Sequence, residues 1–372
     1  MMDYLEKITA FRKLLHANPE ASEKEVVTRK LIKEFLEENT QNLEIVDKGR
    51  WLYGFHNEGA DETYLFRADF DAILSEDGQC YHGCGHDGHT AILAGLAIKL
   101  DKEKLGRNIV YLFQHAEENA AGAIECTEIF KEKKIDYAFA LHGHVGMPLG
   151  TAGIHEEVVC CASEGMLIHL KGIQSHASTP EKGINPAYLM AELALFLRPL
   201  CDFDGFVPMT WQGENYNNMI MATIVYQRLG ELAFGVSPST ADMGLTLRAY
   251  NEKEMTLLQE KVENFIKEGA EKQGLEFSFT YLDIFPETRN NRDLVGRVKA
   301  LWEKENLPFI EKHYPHRGSE DFGHLAKYVP SCYFELGLGI DSPPLHNVGF
   351  EFKDEVIADG LAFFEVIARK GV

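Results

Sequence analysis

The segment His82-Gly-Cys84-Gly-His86-Asp87-Gly-His89 brings imidazoles, a thiol and a carboxylate together within one short stretch. Thiolate and imidazole favour the softer divalent metals, and carboxylate balances their charge. Cys84 and His86, two apart on a loop, can face one ion cluster. Adjacent acids Glu117 and Glu118 follow the apolar run Val110-Tyr-Leu-Phe-Gln-His115. Leaving a strand, neighbouring side chains point in different directions, so one acid can ligate while the other holds a water. In a metal hydrolase the free carboxylate takes a proton from the attacking water and returns it to the leaving amine. His142 ends the run Tyr137-Ala-Phe-Ala-Leu, and His346 follows Pro343-Pro-Leu, a rigid approach to a ligand. A lone His reads better as a surface or satisfied core residue, and the acid pair alone as a solvated loop. Together they point to bound metal.

A structural zinc module would use four Cys or His ligands at short paired spacings. Donors spread from Cys84 to His346, with carboxylates among them, instead describe an open catalytic centre. No Gly-x-Ser-x-Gly nucleophile turn and no Gly-rich phosphate loop is present. Cys84 as a nucleophile would leave the other donors unexplained.

These donors need elements that hold them. The Cys/His segment follows Tyr64-Leu-Phe-Arg-Ala-Asp69-Phe-Asp71 and precedes the helix-like run 90–100, so it joins a strand end to a helix start. Open α/β sheets place their sites there. Helices are expected over 3–16 and 23–38, the second capped by Ser22 with Glu25 three residues on. A hairpin over 43–56, a strand over 63–70, helix 90–100, strand 109–114, helix 121–132 and strand 136–142 continue as a helix-flanked sheet. After residue 163 the pattern becomes strand 166–172, helix 185–200, strands 219–228 and 241–250, helix 252–273 and strand 275–282. That order is a ferredoxin-like β-α-β-β-α-β unit. Helices 292–305, 319–327 and 353–370, with strand 332–337, return to the first style. The reading is an α/β protein with a discontinuous domain, 1–162 and 284–372, interrupted by an inserted domain, 163–283.

Bulk properties agree. A chain of 372 residues exceeds one ordinary domain. The 45% hydrophobic and 26% charged composition is that of a globular protein with a sizeable core. A net charge of −21 argues against nucleic-acid or anionic-membrane partners. No uninterrupted apolar stretch reaches membrane-spanning length and no signal peptide is read at the N-terminus. Seven irregularly spaced cysteines suit reduced thiols in a cytoplasm.

Several longer motifs resemble the M20 metallopeptidase family, in its branch of N-acyl-amino-acid and indole-acetyl-amino-acid hydrolases. Arg12-Lys-Leu-Leu-His16-Ala-Asn-Pro19-Glu20-Ala-Ser22 is similar to that family's opening "RRxLHxxPExS". Arg67-Ala-Asp69-Phe-Asp71-Ala, Cys84-Gly-His86-Asp-Gly-His89-Thr-Ala, and Phe113-Gln-His115-Ala-Glu117-Glu118 continue the likeness. Gly318-Ser-Glu320-Asp321-Phe322, Tyr333-Phe-Glu-Leu-Gly337 and Pro344-Leu-His346 complete it, so it runs nearly end to end.

The resemblance implies a zinc-peptidase-like catalytic domain and an inserted dimerisation domain, hence a homodimer. It implies two divalent ions held by Cys84, His86, Glu118, His142 and His346, with zinc, manganese, nickel and cobalt all compatible with the thiolate. Glu117 would be the general base, and Asp71 would orient a ligand. His176, in Lys171-Gly-Ile-Gln-Ser-His176-Ala-Ser-Thr-Pro180, would reach the partner subunit's site and steady the oxyanion. The implied substrate is a small N-acyl amino acid. A dipeptidase or aminopeptidase of the same fold and a non-catalytic binding protein are the alternatives. Gly235 stands where the family has a substrate-contacting Asn, His115 where it has Pro, and Asn185 where it commonly has Asp.

Overall fold

The apolar runs that lead to the donors form strands with both faces covered. Thr63–Asp69, Asn108–Gln114 and Ser331–Gly337 are buried at every position, as expected of parallel strands between helical layers. The computed structural model describes residues 3–372 and places these strands in a mixed eight-stranded sheet. Its order is Glu44–Asp47, Leu52–His56, Asn108–Gln114, Thr63–Asp69, Tyr137–His144, Ser331–Gly337, Ala152–Ile154 and Phe309–Glu311. The expected hairpin over 43–56 is the antiparallel pair at one edge. The four central strands run parallel. Their carboxyl ends therefore lie along one rim, with Asp69 level with Gln114, and His142 level with Glu335.

The helix expected over 90–100 begins four residues earlier, at His86, and runs to Leu100. It is buried almost all round, beside the helices Tyr4–His16 and Ile357–Lys370 and against the sheet. A helix without a polar face belongs to the core. Gly88 lets it pass close to the C-terminal segment, since a Cβ there would lie 2.4 Å from ring atoms of Phe352.

Several expectations need correction. Ser22 caps no helix: that helix is Val26–Asn39, and its early N–H at Thr28 is taken by Glu20 Oε2 at 2.7 Å. Ser22 Oγ instead donates to Asp71 at 2.7 Å. The helix over 121–132 is two short ones, Gly122–Cys126 and Ile129–Glu132, broken where Thr127 Oγ1 donates back to Ile124 O. The helix over 319–327 shrinks to Gly323–Ala326, because Glu320 and Asp321 turn inward to Arg67. Helix 185–200 is Ala187–Leu197 followed by a 3₁₀ turn carrying Pro199. Ala152–Ile154 and Phe309–Glu311 were not anticipated, being too short to show alternation.

The chain divides into two compact units, one of residues up to 159 with 288–315 and 320–372, the other of 160–287 with 316–319. In the second unit Ala162–Lys171, Ile220–Leu229, Thr240–Ala249 and Glu276–Phe285 form one antiparallel sheet with helices Ala187–Leu197 and Glu252–Gln273. In chain order this is β-α-β-β-α-β, and the second strand lies outermost beside the third, as in a ferredoxin-like unit. It has its own core, with Ile168, Leu193, Leu245, Leu258 and Ile266 among its members. Among the described residues no helix is long and apolar enough to cross a membrane.

Arg67 ties the rim of the first unit together. Its buried guanidinium donates to Gln114 Oε1 (2.8 Å), Asp69 Oδ2 (2.7 Å) and Asp321 Oδ1 (2.8 Å), and lies 3.0 Å from Glu320 Oε1. Removing one partner of a buried ionic network leaves the others uncompensated, at a cost of about 3–5 kcal/mol. Arg67→Met is therefore expected to lower unfolding stability by about that amount, measured as a shift of the urea midpoint. A loss below about 1 kcal/mol would show that water or relaxation takes over the role of the guanidinium.

Candidate metal centre

Gly85 occupies the left-handed region at φ 93°, which glycine adopts without Cβ strain, and turns the chain between Cys84 and His86. His86 Nδ1 lies 3.0 Å from both the backbone oxygen and Oδ1 of Asp71. Facing two acceptors, Nδ1 carries the proton, which leaves the Nε2 lone pair free to ligate. The other Asp71 oxygen accepts from Ser22 Oγ and, at 3.1 Å, from the Glu118 backbone N–H. Asp71 thus fixes one candidate ligand by its ring and another by its backbone.

The turn after strand Asn108–Gln114 is tightly coiled, with Ala116 and Ala120 at φ 48° and 60°. The Ala116 N–H donates to Glu25 Oε1 at 2.8 Å, in a buried setting where desolvation and Asp71 push the Glu25 carboxyl up to about 7. This coil sends the two acids different ways. Glu118 Oε1 lies 3.4 Å from His346 Nε2 and 3.8 Å from His86 Nε2. Glu117 Oε2 lies 3.9 Å from His86 Nε2, and its carboxylate also groups with Glu320 and Asp321.

His142 and His346 close the ring. His142 Nδ1 donates to Gly143 O at 2.8 Å, and its Nε2 is 3.4 Å from Cys84 Sγ. His346 Nε2 is also 3.4 Å from Cys84 Sγ. His346 itself sits at φ 64°, a conformation an L-residue adopts only when its surroundings hold it. Here its N–H donates to Gly83 O and its carbonyl accepts from Tyr81 Oη.

The donor set fits a divalent cation. His86 Nε2 and Glu118 Oε1 are buried and have no hydrogen-bond partner. Donors at about 2.0–2.3 Å from one tetrahedral ion lie roughly 3.3–3.8 Å from each other. The Cys84–His142, Cys84–His346, His346–Glu118 and His86–Glu118 separations of 3.4–3.8 Å match. The electrostatics also call for positive charge. Burial, then Glu118 and Glu117, push the Cys84 thiol well up, while burial, then Glu320 and Glu118, do the same to the Glu117 carboxyl. Burial lowers His86, but Asp69 and Asp71 outweigh it and hold the imidazole at about 10. Cations held by these residues would reverse each of these preferences.

Sequence reading left two neighbours without a role. His89, one turn after His86, has Nδ1 2.8 Å from Asp69 Oδ1, and its Nε2 accepts the Gly143 N–H at 2.7 Å. Asp69 gives its other oxygen to Arg67. Although Asp69, His86, His89 and His142 have donor atoms close together, His89 and Asp69 are already spent, and they brace the strand that carries His142. The i, i+3 spacing from His86 was the available signal. His176 belongs to the second unit. It pairs with Val236 in a two-residue ribbon, is exposed, and has Nδ1 2.7 Å from Ser178 Oγ.

Residues 63–370 match peptidase family M20/M25/M40. The chain is 26% identical over 390 residues to a hippurate hydrolase of Campylobacter jejuni, covering 100% of this chain and 98% of that one. It is 24% identical to an IAA-amino acid hydrolase of Arabidopsis thaliana, covering 99% and 86% of the two chains. An N-acetylcysteine deacetylase of Bacillus subtilis is also 24% identical, over 97% and 96%. Among solved structures, a dinuclear metal binding peptidase of the M20 family from Bacillus subtilis superposes with TM-score 0.80 at 22% identity, covering 99% and 98%. A putative aminohydrolase from methicillin-resistant Staphylococcus aureus gives TM-score 0.85 at 21% identity, covering 98% and 96%. The family match spans most of the chain and includes every one of the five converging donors, and on that ground this protein belongs to peptidase family M20/M25/M40.

Proposed function

We propose that the protein hydrolyses the amide bond of N-acyl amino acids at a centre of two divalent cations held by Cys84, His86, Glu118, His142 and His346. The observation that carries this reading is the split of the acid pair. Glu118 faces the imidazoles with an orphaned oxygen, while Glu117, equally close to His86, leans towards Glu320 and Asp321. Relatives named hippurate hydrolase, IAA-amino acid hydrolase and N-acetylcysteine deacetylase support the substrate class. The structural neighbour described as dinuclear supports two ions, and the Cys84 thiolate suits zinc, manganese, nickel or cobalt.

Bound divalent cations supply Lewis acidity at this point. Glu117 takes a proton from the attacking water on its carboxylate and delivers it to the nitrogen of the leaving amino acid. Asp71 keeps the proton of His86 on Nδ1, so that Nε2 stays directed into the centre. His176 of a second copy donates to the oxyanion as it forms.

A homodimer through the ferredoxin-like unit is part of the reading. Ile220–Leu229 is an outer strand of that sheet, and its Val225 and Tyr226 are 62% and 48% exposed. Leu232 and Phe234, just beyond it, are 90% and 93% exposed. An open strand edge flanked by apolar side chains suits isologous pairing with a second copy. All seven cysteines are free thiols, which supports a reducing compartment such as the cytoplasm.

The substrate class is tested by a hydrolysis panel of N-acetyl, N-benzoyl and N-arylacetyl amino acids beside dipeptides. Turnover confined to dipeptides would replace the acyl-amino-acid reading with a dipeptidase. Glu117→Gln is expected to lower kcat by about 10²–10⁴ with metal content unchanged by elemental analysis. If that variant loses its metal, Glu117 is a ligand and the two acids have been assigned in reverse. Cys84→Ser should weaken metal retention against a chelator and shift preference towards harder ions; unchanged retention would return Cys84 to an ordinary buried thiol. Mixing inactive Glu117→Gln and His176→Ala subunits should restore activity towards about a quarter of the parent's, since half the dimers are mixed and each has one intact site of two. No recovery after confirmed subunit exchange would exclude His176 from acting across the interface.

A further inference from the structure

The ferredoxin-like unit contains a cavity of about 480 Å³ that the reaction above does not use, with His169, Arg228, Glu231 and Asp242 in its walls. Strand register explains how charge gathers there. Asp242 pairs with His169 on one neighbouring strand and with Arg228 on the other. Directly paired residues project to the same face. Ile168 and Leu170 point into the helix-covered core, so His169 between them lies on the uncovered face. An imidazole, a carboxylate and a guanidinium therefore form a row across three adjacent strands.

The charges in this row are paired with one another and partly open to solvent. His169 Nδ1 is 2.5 Å from Asp242 Oδ1, and Arg228 pairs with Glu231. The side chains of Arg228 and Glu231 are 55% and 81% exposed, and those of His169 and Asp242 are 42% and 29% exposed. The exposed Arg228–Glu231 pair contributes little by itself, so a ligand carboxylate can take the place of Glu231 on the guanidinium at small cost. Ala233, Val236 and Pro238 supply an apolar wall beside the row. The volume lies in the range of small-molecule sites.

We infer that this cavity binds a free α-amino acid. The guanidinium of Arg228 takes the carboxylate in its two-pronged geometry, the acids Asp242 and Glu231 face the ammonium, and the side chain lies on the apolar wall. The arrangement separates the product of amide hydrolysis from its substrate. An N-acyl amino acid keeps the carboxylate, but its nitrogen is a neutral amide, so Glu231, once Arg228 turns to that carboxylate, gains no cation in exchange. Cleavage converts that nitrogen to an ammonium, and only then does the ligand match the pocket at both ends. This link to turnover rests on the acyl-amino-acid reading, whereas binding itself does not.

The test is calorimetric titration of the full-length protein, stripped of metal, with glycine, leucine, phenylalanine, glutamate and lysine and with their N-acetyl forms. Saturable binding of at least one free amino acid is expected, weaker by about tenfold or more for its N-acetyl form. Asp242→Asn and Arg228→Gln should each weaken it by a similar factor. Val236→Trp, which fills the cavity without altering a charge, should abolish it. Each variant must melt as the parent does, and because the three lesions are independent, one that fails to fold leaves the other two to decide. No binding at millimolar concentration, equal binding of the N-acetyl forms, or binding that survives the variants would overturn the proposal. Since no turnover is measured, that failure is distinguishable from failure of the hydrolysis panel.

Discussion

The first unit is organised around one buried guanidinium. Arg67 reaches Gln114 on the adjacent strand, Asp69 on its own, and Glu320 and Asp321 from a segment over 250 residues further along the chain. Those acids, with Glu117, make a buried concentration of negative charge. Burial pushes the Asp321 carboxyl well above the usual carboxylate range, and the Arg67 guanidinium beside it opposes that rise. A rim of carboxylates suits cations, but in a folded protein it must first survive its own repulsion. Arg67 serves that end structurally, and it leaves the donors a few ångströms away free for metal.

Local strain is concentrated around the same rim. Ala116, Ala120 and His346 all lie at positive φ, a conformation that costs about 1–3 kcal/mol each for a residue with a side chain. Specific bonds hold two of them: Glu25 takes the Ala116 N–H, and Gly83 takes that of His346. What the strain secures is direction. The coiled turn after Gln114 sends Glu118 towards His86 and His346 and Glu117 towards Glu320 and Asp321, and His346 brings its Nε2 to 3.4 Å from Cys84 Sγ.

The second unit is built on different terms. Its sheet is covered by helices on one face and left open on the other, so residues that alternate along a strand separate into core and surface. The open face and the outer strand are where apolar and charged side chains collect without burial. A core of its own explains how such a unit can be inserted in a chain that is otherwise one sheet with its helices.

By itself the sequence determined the chemistry on offer and most of the elements that carry it. Cys84, His86, Glu117, Glu118, His142 and His346 were legible from residue type, from position after apolar runs and from family resemblance, because ligand chemistry belongs to the side chain. Long periodic segments were legible for the same local reason, as in Glu252–Gln273 and Thr240–Ala249. Only the tertiary structure decided how polar groups pair. Ser22 has the composition of a helix cap, yet it serves Asp71 across 49 positions. His89 has the spacing of a ligand, yet Asp69 and the Gly143 N–H use both its nitrogens. Glu320 and Asp321 stay out of a helix that local propensity would have started at residue 319, because buried charge opposite Arg67 outweighs a few tenths of a kcal/mol of propensity per residue. Propensity and periodicity act over a few neighbours, whereas the partner of a buried polar atom is chosen among groups far apart in the chain, and that choice exists only once the chain has folded.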